Sequence, residues 1–378
     1  MRKFLVMGAM ALALAVPAVA KDDALHAVSV DVEGGGGTLF VTPEGTSLLI
    51  DTGWPTGAGV LPSPDGAQNS ADRIVAAAKK LGVKKIDYVL ITHYHMDHAG
   101  GVSDLVKRIP VGTFIDHGPN AEHVAPGEVV PSDLKGGTPD DLYPKYLAAI
   151  KGHPHIVAKP GQVIAMGSMT DTIVASNGVA MSKPLAGAGV KNPACDTAQA
   201  LSTKEVGGIE NTQSVASVIS YGKVKIAMFG DLSWAVEHAL SCPVTRLGHV
   251  QVLIATQHGS KISSNPASIA DMRPDIAVIG MGGKKGGDAE PIQRIQASPG
   301  LMALWQTHEN FADPARGASD KNMVANLDPL PAEVAKYSKL MFTAPPDMGH
   351  AIHLDVYKDG KVIVTNDRNG FSKTYQTK

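Results

Sequence analysis

Only two cysteines, Cys195 and Cys242, occur in 378 residues, and aromatic residues make up 5% of the chain. Neither cysteine belongs to a C-x-x-C pair, so no redox or cysteine-ligand role is assigned to them. The two can close one disulfide in an oxidising compartment or stand as free thiols, and the sequence leaves both open. An excess of one charge is missing too: 34 Lys and Arg against 36 Asp and Glu give a formal net charge of −2. With no strongly basic window and no basic stretch interleaved with aromatics, nucleic acid is a candidate partner that charge does not support. After the first twenty residues no apolar run approaches the 18 or so residues needed to span a bilayer, so no stable membrane anchor is expected there.

What is present begins at the N-terminus. Arg2 and Lys3 precede an apolar run from Phe4 to Val16, then Pro17 and the small-residue ending Ala18-Val19-Ala20. That is the pattern of a signal peptide over residues 1–20, cleaved near Ala20, and it predicts a periplasmic or extracellular location for a single domain over 21–378. Segments at 27–32, 38–42 and 47–50, joined by Gly34-Gly35-Gly36-Gly37 and Pro43-Glu44-Gly45, read as short strands with tight turns. Ile74, Ala78 and Leu81 share one stripe of a helix predicted from Ser70, as its cap, to Leu81, with Gly82 ending it. A strand over Tyr88 to Thr92 follows, and strand, helix, strand is an α/β order. Polar stretches broken by Pro and Gly near 119–151, with a short helical piece at 143–150, and near 178–210 read as inserts expected to flank a substrate site.

The most informative stretch comes directly after that strand: His93-Tyr94-His95-Met96-Asp97-His98, then Ala99-Gly100-Gly101. It places four metal-competent side chains within six residues. Imidazole and carboxylate are the usual ligands of a zinc-like ion whose site keeps a coordination position open for water. His93 and His95 can aim at one ion, while Asp97 and His98, adjacent and pointing apart, can reach a second beside it. Asp51, in Asp51-Thr52-Gly53-Trp54 at an earlier strand end, can orient loop backbone or a ligand histidine; alone it reads as an ordinary turn residue. Strand-like segments at 224–229 and 250–255 likewise end on potential ligands, in Gly230-Asp231 and Thr256-Gln257-His258-Gly259-Ser260.

Taken in order, these pieces carry a resemblance. The run Leu49-Ile50-Asp51-Thr52-Gly53, the His93-x-His95-x-Asp97-His98 motif, Asn211-Thr212-Gln213-Ser214-Val215, Gly230-Asp231, His258-Gly259-Ser260-Lys261 and the late Ala277-Val278-Ile279-Gly280 all belong to it. Over roughly residues 27 to 310 the chain resembles the metallo-β-lactamase-fold hydrolases, and among them the branch related to the hydrolase domain of ComEC-type DNA-uptake proteins. The resemblance implies an α/β protein with the four-layer αββα metallo-β-lactamase fold and loop insertions. It implies two divalent metal ions, zinc with manganese as the alternative. His93 and His95 would hold the first, Asp97, His98 and His258 the second, and Asp231 would bridge them, so that Asp97 and Asp231 are the carboxylates at the reaction centre. Where the family supplies a third histidine to the first ion, this chain has Asn211, a neutral and harder donor that suits zinc less well than imidazole. His117, His153 or His155 could supply that nitrogen instead, and the choice stays open. His308, His350 and His353 are expected at the surface.

The implied chemistry is hydrolysis by a metal-bound hydroxide, with Thr256, Ser260 and Lys261 as candidate substrate contacts because they neighbour His258. A small-molecule ester or a phosphodiester is the leading substrate class. β-Lactam or lactone hydrolysis is a rival activity, although Asn211 and a bridging Asp231 look unlike the antibiotic-hydrolysing enzymes. A catalytically inert metal-binding or interaction module is the other rival, and the sequence says nothing of oligomeric state.

Overall fold

The computed structural model describes residues 23–64, 66–130, 134–197, 208–311, 319–327, 336 and 345–378. The expected signal peptide and residues 198–207 of the second expected insert lie outside the described residues. The chain opens with an antiparallel meander, β1 (Leu25–Ser29), β2 (Thr38–Val41) and β3 (Ser47–Ile50). A crossover through α1 (Ser70–Lys80) sets β4 (Ile86–Leu90) parallel to β3. The histidine run follows β4 and enters α2 (Met96–Ala99), with α3 (Val102–Leu105) next. Then come β5 (Val111–Asp116), α4 (Pro139–Ile150) and β6 (His155–Val157), with β5 parallel to β4 and β6 parallel to β5.

A second sheet starts with β7 (Val163–Met166), β8 (Met169–Ser176) and the two-residue β9 (Val179–Ala180). After α5 (Ile209–Gln213), β10 (Ala216–Tyr221) and β11 (Val224–Met228) form an antiparallel hairpin. From β11 onward the sheet is parallel, through β12 (Val252–Ile254), β13 (Ile276–Ile279), β14 (Ala303–His308) and β15 (Val324–Asn326). The helices α6 (Trp234–Ser241), α7 (Pro266–Met272) and α8 (Ala289–Gln296) connect these strands. The chain then returns to the first sheet with β16 (Ile352–Val356), β17 (Lys361–Asn366) and β18 (Ser372–Gln376), β16 pairing with β1.

Strand alternation decides the layers. On β3, Leu48 and Ile50 join the core between the sheets, with Phe40, Ile226, Val252, Val278 and Trp305. Leu49 joins the opposite face of the first sheet, with Ile74, Ala78, Leu142 and Tyr146 of α1 and α4. Ala227, Leu253 and Ala277 similarly turn outward to Val236, Leu240, Ile269 and Ile292 of α6 to α8. Helix, sheet, sheet, helix is the αββα arrangement. Each fully buried aliphatic side chain contributes about 1.5–3 kcal/mol, so strands of four or five residues persist because two layers cover them.

Three local readings change. The N-cap of α1 is Asn69, whose side chain accepts from Asp72 N at 3.1 Å, whereas Ser70 Oγ accepts from Trp54 N at 3.0 Å and so holds the neighbouring loop. The helix in the first insert is longer than expected because a capping box of Thr138 and Asp141, with Pro139 behind it, starts it four residues earlier than the apolar pattern suggests. Cys195 and Cys242 are bonded to each other. Among the described residues no helix is long and apolar enough to cross a membrane.

Candidate metal centre

The loops that leave the carboxyl ends of β4, β11, β12 and β13 meet at one edge of the sandwich, where open α/β sheets place ligands. Asp51, at the end of β3, fixes the first loop by accepting from Thr92 N at 2.8 Å and Thr92 Oγ1 at 2.9 Å. His95 is the N-cap residue of α2, so the chain turns there before presenting Asp97 and His98. Asp231 follows Gly230, whose φ is +56°; a Cβ on Gly230 would lie 2.7 Å from Thr92 Cβ and Oγ1, so only glycine lets the two loops touch. Asp51 and His258 both adopt left-handed backbone, with φ of +63° and +56°. Such conformations cost of order 1 kcal/mol or more and persist where the surroundings over-determine them.

Hydrogen bonds assign the imidazole tautomers. His258 Nδ1 lies 2.9 Å from the Gly280 carbonyl, which can only accept, so that nitrogen carries hydrogen and Nε2 presents a lone pair inward. His98 Nδ1 donates to Asp51 Oδ2 at 2.7 Å, with the same consequence for its Nε2. Thr92 Oγ1 has given its proton to Asp51, so at 3.0 Å it accepts from His93 Nδ1 and leaves His93 Nε2 free to coordinate. His95 Nε2 faces Glu122 Oε1 at 3.5 Å, which turns its Nδ1 toward His93 Nε2 at 3.1 Å. In the neutral tautomers His93 faces His95 and His98 faces His258 with unshared pairs, an arrangement that a metal ion, or a proton on one ring of each pair, satisfies.

The spacing is that of a coordination shell. Zinc–ligand bonds of about 2.1 Å in a tetrahedron put neighbouring ligand atoms about 3.4 Å apart. His98 Nε2 is 3.2 Å from His258 Nε2, 3.2 Å from Asp97 Oδ2 and 3.2 Å from Asp231 Oδ1. His258 Nε2 is 3.3 Å from Asp97 Oδ2 and 3.2 Å from Asp231 Oδ1. Five of the six edges therefore fit, and Asp97, His98, Asp231 and His258 form one candidate metal-holding group.

Protonation bears on the same reading: against burial, Glu122 lifts His95 and Asp231 lifts His258 above the ordinary value, so a metal ion must displace protons there. Burial alone would raise Asp97, but Lys285 and His98 hold it well below the usual carboxylate range. Against the same burial, His258 and His98 do this for Asp231. Burial pushes His93 well below its ordinary value, and His98 and His95 add to this, so it is neutral and able to ligate. His98 would also be lowered by burial, yet Asp231, Asp97 and Asp51 lift it well above its ordinary value. A proton and a metal ion therefore compete for its Nε2.

Asn211, on α5, lines the same cavity as His95, Asp231 and His258, and its buried Oδ1 has no hydrogen-bond partner among the described residues. The rival histidines are engaged elsewhere: His117 Nε2 with Glu210 at 3.0 Å, His155 with Asp116 at 2.7 Å, and His153 edge-on to Phe114. Thr256 turns away to donate to Glu237 at 3.1 Å, and Lys261 does not line the cavity, although Ser260 does. Its cation comes instead from Lys285, beyond β13, which pairs with Asp97 and lies 5.4 Å from the Trp54 ring centroid. Lys285, Glu122 and Glu210 carried no sequence signal, since each sits in a loop or short helix far along the chain from the histidines. His308 is buried, not at the surface, because three carboxylates surround it.

The cavity measures about 640 Å³ and is walled by Trp54, Met96, Val124, Leu134, Ile209 and Ile262, with the candidate ligands at one side. That size suits a small molecule. Both inserts contribute to its wall, the first through residues within 122–130 and 134–139 and the second through Gly208 and Ile209.

A family model described as the metallo-beta-lactamase superfamily matches residues 33–282. A curated lactamase-like protein of Pestalotiopsis microspora is 33% identical over 76 residues, a span of 20% of this chain and 20% of that protein. Among solved structures, YhfI of Bacillus subtilis, a metallo-beta-lactamase fold protein, is similar at 16% identity and a TM-score of 0.38, covering 81% of this chain and 96% of that one. CmlA, a diiron beta-hydroxylase of Streptomyces venezuelae, is similar at 14% identity and a TM-score of 0.38, covering 78% of this chain and 49% of that one. The chain thus spans about half of CmlA and a fifth of the fungal protein.

Proposed function

Since the chain belongs to the metallo-beta-lactamase superfamily, we propose that it is an exported, dinuclear metal-dependent hydrolase of small-molecule esters or phosphodiesters. The observation that carries this reading is the gathering of His98, His258, Asp97 and Asp231 within coordination distance of one another, with the paired His93 and His95 beside them, at one side of the cavity. His93, His95 and Asn211 would hold one divalent ion, Asp97, His98 and His258 a second, with Asp231 shared. Zinc is the first choice and manganese the second, since Asn211 replaces an imidazole. Two such dications supply Lewis-acid activation of water and of a scissile carbonyl or phosphoryl oxygen.

The protein's own part is to prepare that centre. Asp51 orients His98, Glu122 orients His95, and Gly280 orients His258, so each imidazole presents its coordinating nitrogen without reorganisation. Lys285, tied to Asp97, puts one positive charge at the cavity wall, where it can meet an anionic group of a substrate. The apolar part of the wall favours an apolar acyl or alkyl body, while Glu122, His123 and Glu128 add polar groups at its edge. A long polyanion is disfavoured, because Lys285 is the one lysine or arginine among the described residues lining this cavity. Export is supported by the Arg2 to Ala20 pattern and by the Cys195–Cys242 disulfide, which persists in oxidising compartments. The ordered motifs of the sequence further support a place near the ComEC-type branch.

Assaying p-nitrophenyl acetate, bis-p-nitrophenyl phosphate, a lactone, nitrocefin and single-stranded DNA with zinc or manganese tests this reading. Metal-dependent turnover of one of the first two is expected. Turnover of nitrocefin alone would assign a β-lactamase, and a protein that binds metal but hydrolyses nothing would be the inert module.

A further inference from the structure

A second set of charged side chains gathers just before the glycine run of the β1–β2 connection. His308 Nε2, at the end of β14, lies 3.0 Å from Asp31 Oδ1, 3.6 Å from Glu33 Oε1 and 3.4 Å from Asp347 Oδ2. These separations straddle the tetrahedral edge of about 3.4 Å that the first centre also shows. Arg73 of α1 lies on the other side, with Nη1 2.7 Å from Asp31 Oδ2 and 3.9 Å from Glu33 Oε1 and Nη2 2.5 Å from Asp347 Oδ1, while Asp31 Oδ1, which also accepts from Glu33 N at 2.9 Å, faces the imidazole.

Four atoms there, His308 Nε2, Glu33 Oε2, Asp347 Oδ2 and Arg73 Nε, make no aligned hydrogen bond among the described residues, although His308 Nε2 has three carboxylates within 3.6 Å. His308 is 5% exposed and Glu33 3%. Native proteins rarely leave such groups unsatisfied. Three carboxylates and one guanidinium also sum to two negative charges, which a dication cancels. Protons perform the same service otherwise: burial pushes the Glu33 carboxyl up to about 8, and the Asp31 and Glu33 carboxylates, overcoming burial, lift His308 to about 10.

We propose that Asp31, Glu33, His308 and Asp347 form a second site for a divalent transition-metal ion, separate from the hydrolytic centre, that locks the β1–β2 connection to β14 and to the segment before β16. One imidazole with three carboxylates suits manganese or zinc. The role is structural. Glu33 O accepts from Trp54 Nε1 at 3.3 Å, and the next turn, at Gly36, donates from its N to Asp97 O at 2.9 Å. An ion at Glu33 would therefore stiffen the loop that backs the hydrolytic centre without touching substrate.

Metal counting on the full chain tests this. Wild type, Glu33→Gln, Asp347→Asn, Asp231→Asn and the Asp231→Asn/Glu33→Gln double variant are equilibrated with Mn²⁺, and bound metal is measured by mass spectrometry alongside circular dichroism. Glu33→Gln and Asp347→Asn are each expected to bind about one ion fewer than wild type. The double variant should bind about one fewer than Asp231→Asn, which separates this site from the hydrolytic centre. In the Asp231→Asn background, added Mn²⁺ should raise the melting temperature, and this rise should vanish with Glu33→Gln. Equal metal content in folded wild type, Glu33→Gln and Asp347→Asn would overturn the proposal, whatever the hydrolytic centre does.

Discussion

At the scale of single residues, the account rests on atoms that never touch substrate. Asp51 is one: its carboxylate holds both the Thr92 hydroxyl and His98 Nδ1, so Asp51→Asn can no longer fix the His98 tautomer. Zinc affinity, measured by competition with a chromophoric chelator, should fall about 10- to 100-fold while the fold survives. An unchanged affinity would show that His98 needs no such partner. Gly36 is another, since a Cβ there would lie 2.5 Å from Asp51 Oδ2 and 2.7 Å from His98 Nδ1. Gly36→Ala should therefore weaken metal binding too, and native-like affinity in that variant would contradict the packing described. His93, His95, Asp97 and His98 are legible in the sequence because four metal-competent side chains fall within six residues, whereas Asp51, Asp231 and His258, each weak alone, gain meaning from their order along the chain. Lys285 and Glu122 are not legible, because a single lysine or glutamate in a loop has no periodicity or spacing to mark it.

At the scale of elements, short strands were read well where turn residues bracket them, as at β2 and β3. Helix starts were read less well. Asn69 and Thr138 cap their helices through hydrogen bonds that apolar periodicity does not register. On β8, Asp171 is fully buried, and among the described residues only Ser217 Oγ, at 3.2 Å, donates to it. Burial raises this carboxyl to about 7. Below about pH 4 it is protonated in the folded and unfolded chains alike and costs nothing. As pH rises from about 4 to 7 the unfolded chain ionises first, so stability falls across that window by about 1.4 kcal/mol per unit, a few kcal/mol in all. Asp171→Asn should remove the slope, leaving urea midpoints similar at pH 4 and higher than wild type at pH 8. A variant no more stable than wild type at pH 8 would mean that the carboxylate is solvated after all.

At the scale of the whole molecule, strand, helix and strand ahead of the histidine run indicate an α/β order, and the two-sheet sandwich follows only from the family resemblance that the ordered motifs carry. What order could not convey is which cavity wall each insert builds, or that Cys195 and Cys242 meet across 47 residues. Closing a loop of that length restricts the unfolded chain by about 4 kcal/mol in the entropy model, an upper figure. Cys195→Ser/Cys242→Ser should therefore melt several degrees lower than oxidised wild type, and reducing agent should lower wild type alone; equal melting temperatures would remove the disulfide from the account of stability. The central claim, that the edge where the two sheets' loops meet holds a hydrolytic two-metal centre, is tested most directly by measuring zinc per chain and p-nitrophenyl ester turnover together in wild type, His95→Ala and Asp231→Asn. Wild type should hold about two ions at this centre and turn over ester, with both quantities falling together in each variant. Metal content and turnover equal to wild type in both variants would contradict the claim.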